Sequence, residues 1–432
     1  MMHRLKNWAH RQQSPERHRL LETLLSNQAL SAAQLRQKQA ADFLAILHHA
    51  RTQTPYYRER YRHIPSTCTA HDEMRTLPIL RKDDVIQHRD ALLAESADKS
   101  TLCLGHTGGS TGRPLAFYYD RHKHELMRAG MIRSYMWSGW RPGEKILNFW
   151  GAKQDIKPRA MRKRLEDLIS AEKTIGAHEY TETDLARWVD EIHRYRPVLL
   201  QGYASILAEL ARYVLDQGLR LQDTLKGVYS TAEMLHDWQR TLIEAAFACK
   251  VFNQYGSREI PNIACECRYG NQHVFTDMVY LESVREDGED KLIVTSLTNR
   301  IMPFIRYDIG DSGTLKDGDC PCGSPFPMMD MGVCRSNDLI KTKRGKIVYP
   351  SYFIHLLDGL DGVKQYQFVQ TAFDKMTLNV LASRRLTADE QAHIAARIMH
   401  DVDASMALEI HQLEAIPRTP SGKHRFVIRD FD

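Results

Sequence analysis

The chain has 432 residues, a formal net charge of +5, and 43% hydrophobic and 26% charged residues. This length exceeds what one hydrophobic core holds, so we expect two or three folding units in a protein of ordinary globular composition. No apolar run approaches the roughly eighteen residues that span a bilayer, and polar, charged sequence follows Met1 where a signal peptide would be apolar. We therefore expect a cytoplasmic protein with no membrane partner.

The first 65 residues are basic, with 11 Lys/Arg against 4 Asp/Glu. Apolar residues recur there at helical spacing, beginning with Leu20, Leu21 and Leu24, which predicts amphipathic helices with solvated basic faces. A basic segment can also contact nucleic acid, so a zinc-stabilised nucleic-acid-binding protein is an alternative from another functional class. The segment lacks a recognisable reading motif, and we expect no nucleic-acid partner.

Residues 106–114, His-Thr-Gly-Gly-Ser-Thr-Gly-Arg-Pro, combine three glycines with three hydroxyl side chains. Glycines let backbone N–H groups approach a phosphate closely, and hydroxyls donate further hydrogen bonds. No Gly-Lys-Ser/Thr follows, and the apolar run 115–119 predicts a strand rather than a helix, which excludes a Walker loop. A flexible hairpin turn is the alternative. The candidate phosphate-binding residues are Thr107, Gly108, Gly109, Ser110, Thr111 and Gly112.

Between about 100 and 260, short apolar runs alternate with longer helical patterns. This alternation indicates an α/β domain with a buried sheet, whose ligands bind at the loops that follow the strands. From about 274 to 316 strand-like segments dominate, beginning with a strand over 274–281. The predicted strands of the alternating part cover 145–150, 198–202 and 227–230, and its helices cover 185–195, 206–217 and 238–247.

A break at 332–338 separates this part from a small α+β unit that contains a helix over 388–404. The predicted fold class is therefore α/β, with a large N-terminal domain of mixed sheets and helices (1–334) and a small α+β C-terminal domain (338–432).

Three further motifs contain residues suited to nucleotide chemistry. Residues 255–259, Tyr-Gly-Ser-Arg-Glu, follow a predicted strand and offer a ring that could stack on a base and a carboxylate for Mg2+. Residues 305–311, Ile-Arg-Tyr-Asp-Ile-Gly-Asp, place two carboxylates beside a glycine, where they could bind a ribose or a metal. Residues 417–425, Pro-Arg-Thr-Pro-Ser-Gly-Lys-His-Arg, form a stiff basic loop. Each motif taken alone could also be a surface turn with solvated charges.

The order of these motifs resembles the adenylate-forming enzymes. Five motifs follow one another along the chain: a Gly/Ser/Thr loop, Tyr-Gly-x-x-Glu, Arg-Tyr-x-x-Gly-Asp, an Arg-x-x-Asp break and Pro-x-x-x-Ser-Gly-Lys. The resemblance extends from Tyr56 to Lys423. The length of the chain and the sequence Ile-Met-Pro-Phe-Ile-Arg-Tyr at 301–307 are similar to the phenylacetate–CoA ligase-like branch. Relatives in capsular polysaccharide biosynthesis share the Tyr-Gly-Ser-Arg-Glu form.

This resemblance implies a role for each motif. The loop at 107–112 would hold the β- and γ-phosphates of ATP, and Glu259 would bind Mg2+. Asp311, assisted by Arg335, would bind the ribose hydroxyls. Lys423 would bridge the substrate carboxylate and the α-phosphate, so Lys423 and Glu259 are the predicted catalytic residues. The adenine side of the site is assigned to Thr231, Ala232, Glu233, Tyr255 and Gly256.

The implied activity is ATP-dependent activation of a carboxylic acid as an acyl-adenylate, with release of pyrophosphate, followed by transfer of the acyl group to coenzyme A. Two alternatives stay open: transfer to an amine, as in indoleacetate–lysine synthetase of the same branch, and a nucleotide-binding homologue without turnover. The chain departs from the superfamily pattern at Leu115, where many members have lysine, and at Asn337, where the hinge aspartate is expected. The resemblance implies that the C-terminal domain is a mobile lid with a hinge at 335–338, and Asn337 there tolerates the large φ/ψ change that a domain rotation requires. The segments 230–235 and 253–259 mix Tyr, Ser, Ala and Met, which suits an aromatic or medium-sized acid.

Clustered cysteines suggest a structural metal site. Three thiolates and one imidazole would complete a tetrahedral zinc set with no open position, and such a closed set serves structure rather than catalysis. The spacing matches no standard zinc finger, so unliganded thiols are the alternative. Some phenylacetate–CoA ligase-like proteins carry Cys and His at similar places around zinc. The predicted ligands are Cys267, His273, Cys320 and Cys322, with Cys265 as a possible replacement for Cys267.

Overall fold

The computed structural model describes residues 2–64, 75–107, 115–151, 171–177, 180–221, 224–286, 288–335, 340–344, 346–348, 352–353, 356–357, 360, 362–419 and 424–431. The predicted hinge residue Asn337 lies outside these ranges, so the hinge and the domain bounds drawn from it stay predictions.

Residues 2–60 are mostly helical, as predicted. Proline opens α2 and α4 at a position where its missing N–H costs no helical hydrogen bond. A capping box begins α3, because the Ser31 side chain accepts from the N–H of Gln34 and the Gln34 side chain accepts from the N–H of Ser31. Among the described residues, no helix is long and apolar enough to cross a membrane. The four helices are α1 (Met2–Gln13), α2 (Pro15–Asn27), α3 (Ala32–Gln53) and α4 (Pro55–Arg60).

The alternating part of the chain forms parallel strands with helical connections, as the hydrophobic pattern predicts. Four of these strands are mostly buried, which matches their apolar sequences, and the edge strand at 172–176 is half-buried to exposed. The strands are β3 (Ile146–Trp150), β4 (Glu172–Gly176), β5 (Leu199–Tyr203), β6 (Gly227–Thr231) and β7 (Val251–Tyr255), and the helices around them are α5 (Lys82–Gln87), α6 (Arg121–Met136), α7 (Glu182–Tyr195), α8 (Ala204–Asp216) and α9 (Asp237–Phe247).

Antiparallel strands extend the same sheet beyond β7. In the described part of the chain the sheet has 11 strands in the order β10-β11-β12-β13-β9-β8-β7-β6-β5-β3-β4. The added strands are β8 (Ala264–Glu266), β9 (Gln272–Val274), β10 (Val279–Glu286), β11 (Glu289–Ser296), β12 (Tyr307–Lys316) and β13 (Met328–Arg335).

Two boundaries in this β-rich part differ from the sequence prediction. The strand predicted over 274–281 is interrupted by a turn, where the Asp277 carboxylate accepts a hydrogen bond from the fully buried Arg133 at 2.6 Å and from Asn27 at 2.9 Å. The break predicted from Gly332 onward is wrong at its start, because β13 continues to Arg335. A Cβ at Gly332 would lie 2.7 Å from a carbonyl oxygen of β12, so this glycine serves close strand packing rather than a loop.

The C-terminal part forms a smaller, four-stranded sheet together with a helix over Ala388–Asp401. Its order is β18-β17-β16-β19. The helix ends at Asp401 rather than the predicted 404, because the Asp403 side chain accepts from the N–H of Ser405 and forms a turn. The elements are β14 (Ile340–Lys341), β15 (Ile347–Val348), β16 (Val363–Ala372), β17 (Lys375–Ala382), α10 (Ala388–Asp401), β18 (Ala407–Gln412) and β19 (Val427–Arg429).

Candidate active site and metal centre

The sheet brings the predicted adenine and ribose residues together. Tyr255 is the last residue of β7, and its hydroxyl donates a hydrogen bond to Oδ2 of Asp311 on β12 at 3.0 Å. Both residues are only 9% exposed. The backbone of Asp311 lies opposite that of Arg335 on β13. Asp311 therefore shares one corner of the sheet with Tyr255, which is 56 positions earlier in the sequence, and with Arg335, which is 24 positions later.

The predicted magnesium ligand Glu259 lies next to this corner and is 4% exposed. The hydroxyl of Tyr307 donates to its Oε1 at 3.3 Å. Burial and the Glu259 carboxylate raise the pKa of Tyr307 well above its ordinary value, so this hydroxyl keeps its proton at neutral pH. A Cβ at Gly256 would lie 2.9 Å from the backbone nitrogen of Asn262, which explains the glycine in the turn between Tyr255 and Glu259.

One buried cation near Glu259 was missed by the sequence reasoning. Lys123, near the start of α6, is 4% exposed, and its Nζ donates to Thr298 Oγ1 at 3.2 Å and to Ser296 Oγ at 3.4 Å. Burial lowers its pKa to about 8, while the carboxylates of Asp120 and Glu259 oppose the shift. No local pattern distinguishes Lys123 from its solvated neighbours in sequence, so only the fold identifies it.

The predicted adenine segment follows β6. Ala232 has a φ of +69°, a left-handed conformation that is costly for a residue with a Cβ. Each carboxylate oxygen of Glu233 accepts from a backbone N–H, one from Ser205 at 2.8 Å and one from His424 at 2.7 Å. Glu233 thus contacts the C-terminal segment that carries the predicted catalytic lysine. Its role beside adenine, and that of Thr231, stay predictions.

The glycine-rich loop joins two strands that pair with each other. Strands β1 (Cys103–His106) and β2 (Ala116–Tyr119) are antiparallel, with His106 opposite Ala116. The N–H of Thr107 donates to the carbonyl of Leu115, and its Oγ1 accepts from the N–H of Leu115, both at 2.9 Å. Thr107 therefore closes the base of the loop. The other predicted site residues of this loop and the predicted catalytic lysine lie outside the described residues: Gly108, Gly109, Ser110, Thr111, Gly112 and Lys423.

The structure brings the four predicted metal ligands together. Their donor atoms all lie within 4.8 Å of one another. The Sγ atoms of Cys267 and Cys320 are 3.7 Å apart, and Cys322 Sγ lies 3.3 Å from Nε2 of His273. Two thiolates on one tetrahedral zinc, at Zn–S bonds of about 2.3 Å, would be ~3.8 Å apart. The spacing between Cys267 and Cys320 therefore fits two thiolates on one zinc ion.

The surroundings of the cluster also suit a metal. Nδ1 of His273 lies 2.8 Å from the carbonyl of Phe326, to which it can donate, and this leaves Nε2 turned toward the thiols. Although burial opposes ionisation, hydrogen bonds from the N–H of Cys322 and the amide of Asn271 lower the pKa of Cys320 to about 6. Cys265 lies elsewhere, with its Sγ 3.2 Å from the hydroxyl of Tyr229.

Known proteins resemble this chain over most of its length. The CapK C-terminal domain family matches residues 340–430. Protein CapK of Staphylococcus aureus is 27% identical over 369 residues, which is 82% of this chain and 80% of that protein. Phenylacetate-coenzyme A ligase of Thermus thermophilus is 25% identical over 398 residues, with 83% and 87% of the two chains covered.

The fold is shared with a solved ligase. A crystal structure of 2-hydroxyisobutyryl-CoA ligase in the postadenylation state superposes with a TM-score of 0.73 at 20% identity and covers 94% of this chain and 91% of the other. The fold class expected from the motifs, and the resemblance on which it was based, are confirmed. The chain is a homologue of CapK and of the phenylacetate-coenzyme A ligases, built on the fold of the adenylate-forming ligases.

Proposed function

We propose that the protein activates a carboxylic acid with ATP as an acyl-adenylate and then transfers the acyl group to the thiol of coenzyme A. The observation that carries the proposal is the hydrogen bond from Tyr255 to Asp311 at one corner of the sheet, supported by the buried Glu259, which accepts from Tyr307 on the same strand as Asp311. His424, the neighbour of the predicted lysine, is hydrogen-bonded to Glu233. The curated relatives include acid–coenzyme A ligases of similar length.

In the proposed first step a carboxylate oxygen attacks the α-phosphorus of ATP. The bond from the α-phosphorus to the oxygen that bridges to the β-phosphate breaks, and pyrophosphate leaves with that electron pair. Asp311 would hold the ribose, Tyr255 would orient Asp311 and face the adenine, and the ammonium of Lys423 would offset the repulsion between the two anions. When bound, Mg2+ would neutralise phosphate charge, and the buried carboxylate of Glu259 is suited to hold it.

The metal centre has a separate role in this proposal. One Zn2+ ion would be held by Cys267, His273, Cys320 and Cys322, with no position left for a substrate. The bound ion would fasten the loop between β12 and β13 to β9. A reaction that consumes ATP and coenzyme A, and a centre that needs reduced thiols, both suit the cytoplasm.

The first step can be tested by ATP–pyrophosphate exchange across a panel of aliphatic and aromatic carboxylic acids with Mg2+ present. We expect exchange that depends on one class of acid. No exchange with any acid, together with measurable ATP binding, would instead identify a nucleotide-binding homologue without turnover. Product analysis with coenzyme A and with amines, each supplied to the enzyme with its preferred acid, would then identify the acceptor.

Tyr255→Phe is expected to raise the KM for ATP about tenfold, with little change in kcat. The substitution keeps the ring but removes the hydroxyl that donates to the Asp311 carboxylate, and a hydrogen bond to a charged group is worth about 1.5–3 kcal/mol. Steady-state exchange kinetics at varied ATP would measure the effect. Tyr269→Phe is the matched control, because Tyr269 is 51% exposed. An unchanged KM in Tyr255→Phe would remove this residue from the nucleotide site.

A further inference from the structure

Arg418 lies in the basic loop between β18 and β19, five residues before the predicted catalytic Lys423, and the nucleotide site described above does not use it. Its guanidinium reaches across to the large domain. Nη2 donates to the hydroxyl of Tyr180 at 2.8 Å and to Oε1 of Glu209 at 3.1 Å, and Nη1 donates to Oγ of Ser205 at 3.2 Å. The Arg418 side chain is 13% exposed and that of Glu209 is 23% exposed. These three acceptors belong to the opposite side of the interface.

The acceptors form a prearranged polar site. The hydroxyl of Tyr180 donates to Oε2 of Glu209 at 2.6 Å, and the amide of Gln365 donates to Oε1 at 2.8 Å. Burial raises the pKa of Glu209, while the Arg418 cation acts in the opposite direction. Removing Arg418 would leave a largely buried carboxylate without this ion pair, a state that is strongly disfavoured.

A second contact fixes the other end of the loop. The N–H of His424 donates to Oε1 of Glu233, and Oε2 of Glu233 accepts from the N–H of Ser205 in the first turn of α8. Ser205 therefore belongs to both contacts, since its hydroxyl accepts from Arg418. The two contacts flank residues 419–423, and one stretch of α8 holds both ends of the segment that ends in Lys423.

The interface around these contacts is only partly filled by side chains. A cavity of about 200 Å³ is lined by Ser205, Glu209 and His424, together with Trp238 and Tyr366. A polar interface with unfilled space resembles separable interdomain contacts more than a continuous hydrophobic core. The ion pair can therefore be removed without opening a packed core on either side.

We propose that Arg418 is a positioning residue for the adenylation step, and that its ion pair with Glu209 docks the lysine-bearing loop against α8. This inference rests on the proposed function, because its catalytic consequence requires acyl-adenylate formation. The transfer of an acyl group from a preformed adenylate needs no attack on the α-phosphorus. The contact should therefore matter for the first step and not for the second.

The test compares Arg418→Gln with Arg397→Gln. The control removes the same guanidinium from α10, where Arg397 pairs with Asp401 and is 50% exposed. We expect Arg418→Gln to lower pyrophosphate exchange at least about tenfold, with acyl transfer from chemically prepared acyl-adenylate changed less than about twofold. Arg418→Lys should recover part of the rate, since an ammonium can pair with Glu209 but cannot replace the guanidinium fork. Glu209→Gln should lower exchange similarly, and the two losses should be less than additive.

A second readout does not depend on turnover. Backbone hydrogen exchange in residues 424–431 should accelerate in Arg418→Gln and stay unchanged in Arg397→Gln, because the loop without its Arg418 contact would leave Glu233 more often and expose the His424 N–H. Unaltered pyrophosphate exchange in Arg418→Gln, or an equal loss in both half-reactions, would overturn the inference. If the wild-type protein shows no pyrophosphate exchange, the proposed function fails instead. The docking role then stands or falls with the hydrogen-exchange result alone.

Discussion

Lys423→Ala is expected to slow acyl-adenylate formation at least ~100-fold. The attacking carboxylate and the α-phosphate are both anions, and negative charge grows on the phosphoryl oxygens in the transition state. A positioned cation there contributes on the order of 3 kcal/mol to lowering the barrier, which corresponds to this factor. His424, covalently joined to Lys423, donates its N–H to Glu233 at 2.7 Å, so the lysine is attached next to the predicted adenine segment.

The measurement is single-turnover formation of acyl-adenylate with saturating ATP and acid, which separates chemistry from substrate binding. Lys375→Ala is the matched control, because Lys375 is an exposed lysine at the start of β17. The control should react at the wild-type rate. A wild-type rate in Lys423→Ala would contradict both the assignment of this lysine and the proposed adenylation chemistry.

The parallel part of the sheet was predictable because its pattern is local. The strand predicted over 198–202 is β5 at 199–203, and the helix predicted over 206–217 is α8 at 204–216. A short apolar run followed by a long helical period contains the information for both elements. The order of the motifs assigned Tyr255 and Asp311 to one nucleotide site through the resemblance, and the structure places the two side chains in hydrogen-bonding contact; their roles toward a nucleotide stay predictions.

The features that sequence reasoning missed depend on partners far away in the chain. The turn at Asp277 exists because Arg133, 144 residues earlier, is buried against it. The glycine at 332 was interpreted as a break, although it lies against β12 in the middle of a strand. Lys123 has no distinctive local pattern, and Arg418 lies in a basic loop that could be a solvated turn; only the fold reveals that one is buried near Glu259 and the other crosses to Glu209.

The metal centre was predictable from the sequence only in part. The clustering of cysteines predicted the four residues, but spacing did not decide between Cys265 and Cys267. Strand geometry separates them: Cys265 is within β8, opposite His273 in the register, and its Sγ contacts Tyr229. Cys267 follows the end of β8, and its Sγ reaches that of Cys320. Strand alternation would place residues two positions apart on the same face, so the end of β8 at Glu266 is what gives Cys267 different surroundings from Cys265.

Cys320→Ser is expected to abolish stoichiometric zinc binding and to lower the thermal unfolding midpoint by ~5 °C or more. A serine hydroxyl is a poor zinc ligand, and the remaining three donors would no longer form a closed tetrahedral set. Metal-binding energy in a structural site contributes directly to folding, and a loss of about 2 kcal/mol shifts the midpoint by roughly this amount in a domain of a few hundred residues. Elemental analysis and thermal unfolding of protein purified without chelator would measure the two effects.

Two controls separate loss of the metal from loss of a thiol. Cys103→Ser removes an exposed cysteine and should keep about one zinc per chain and the wild-type midpoint. Cys265→Ser should also keep the zinc, because Cys265 lies outside the cluster. The unfolding midpoint of this variant is not a useful control, because Cys265 is buried and its replacement affects packing as well. Chelation of the wild type should reproduce the midpoint of Cys320→Ser and have no effect on that variant. Protein without zinc, or full zinc content in Cys320→Ser, would show that the four donors are unliganded thiols and imidazole.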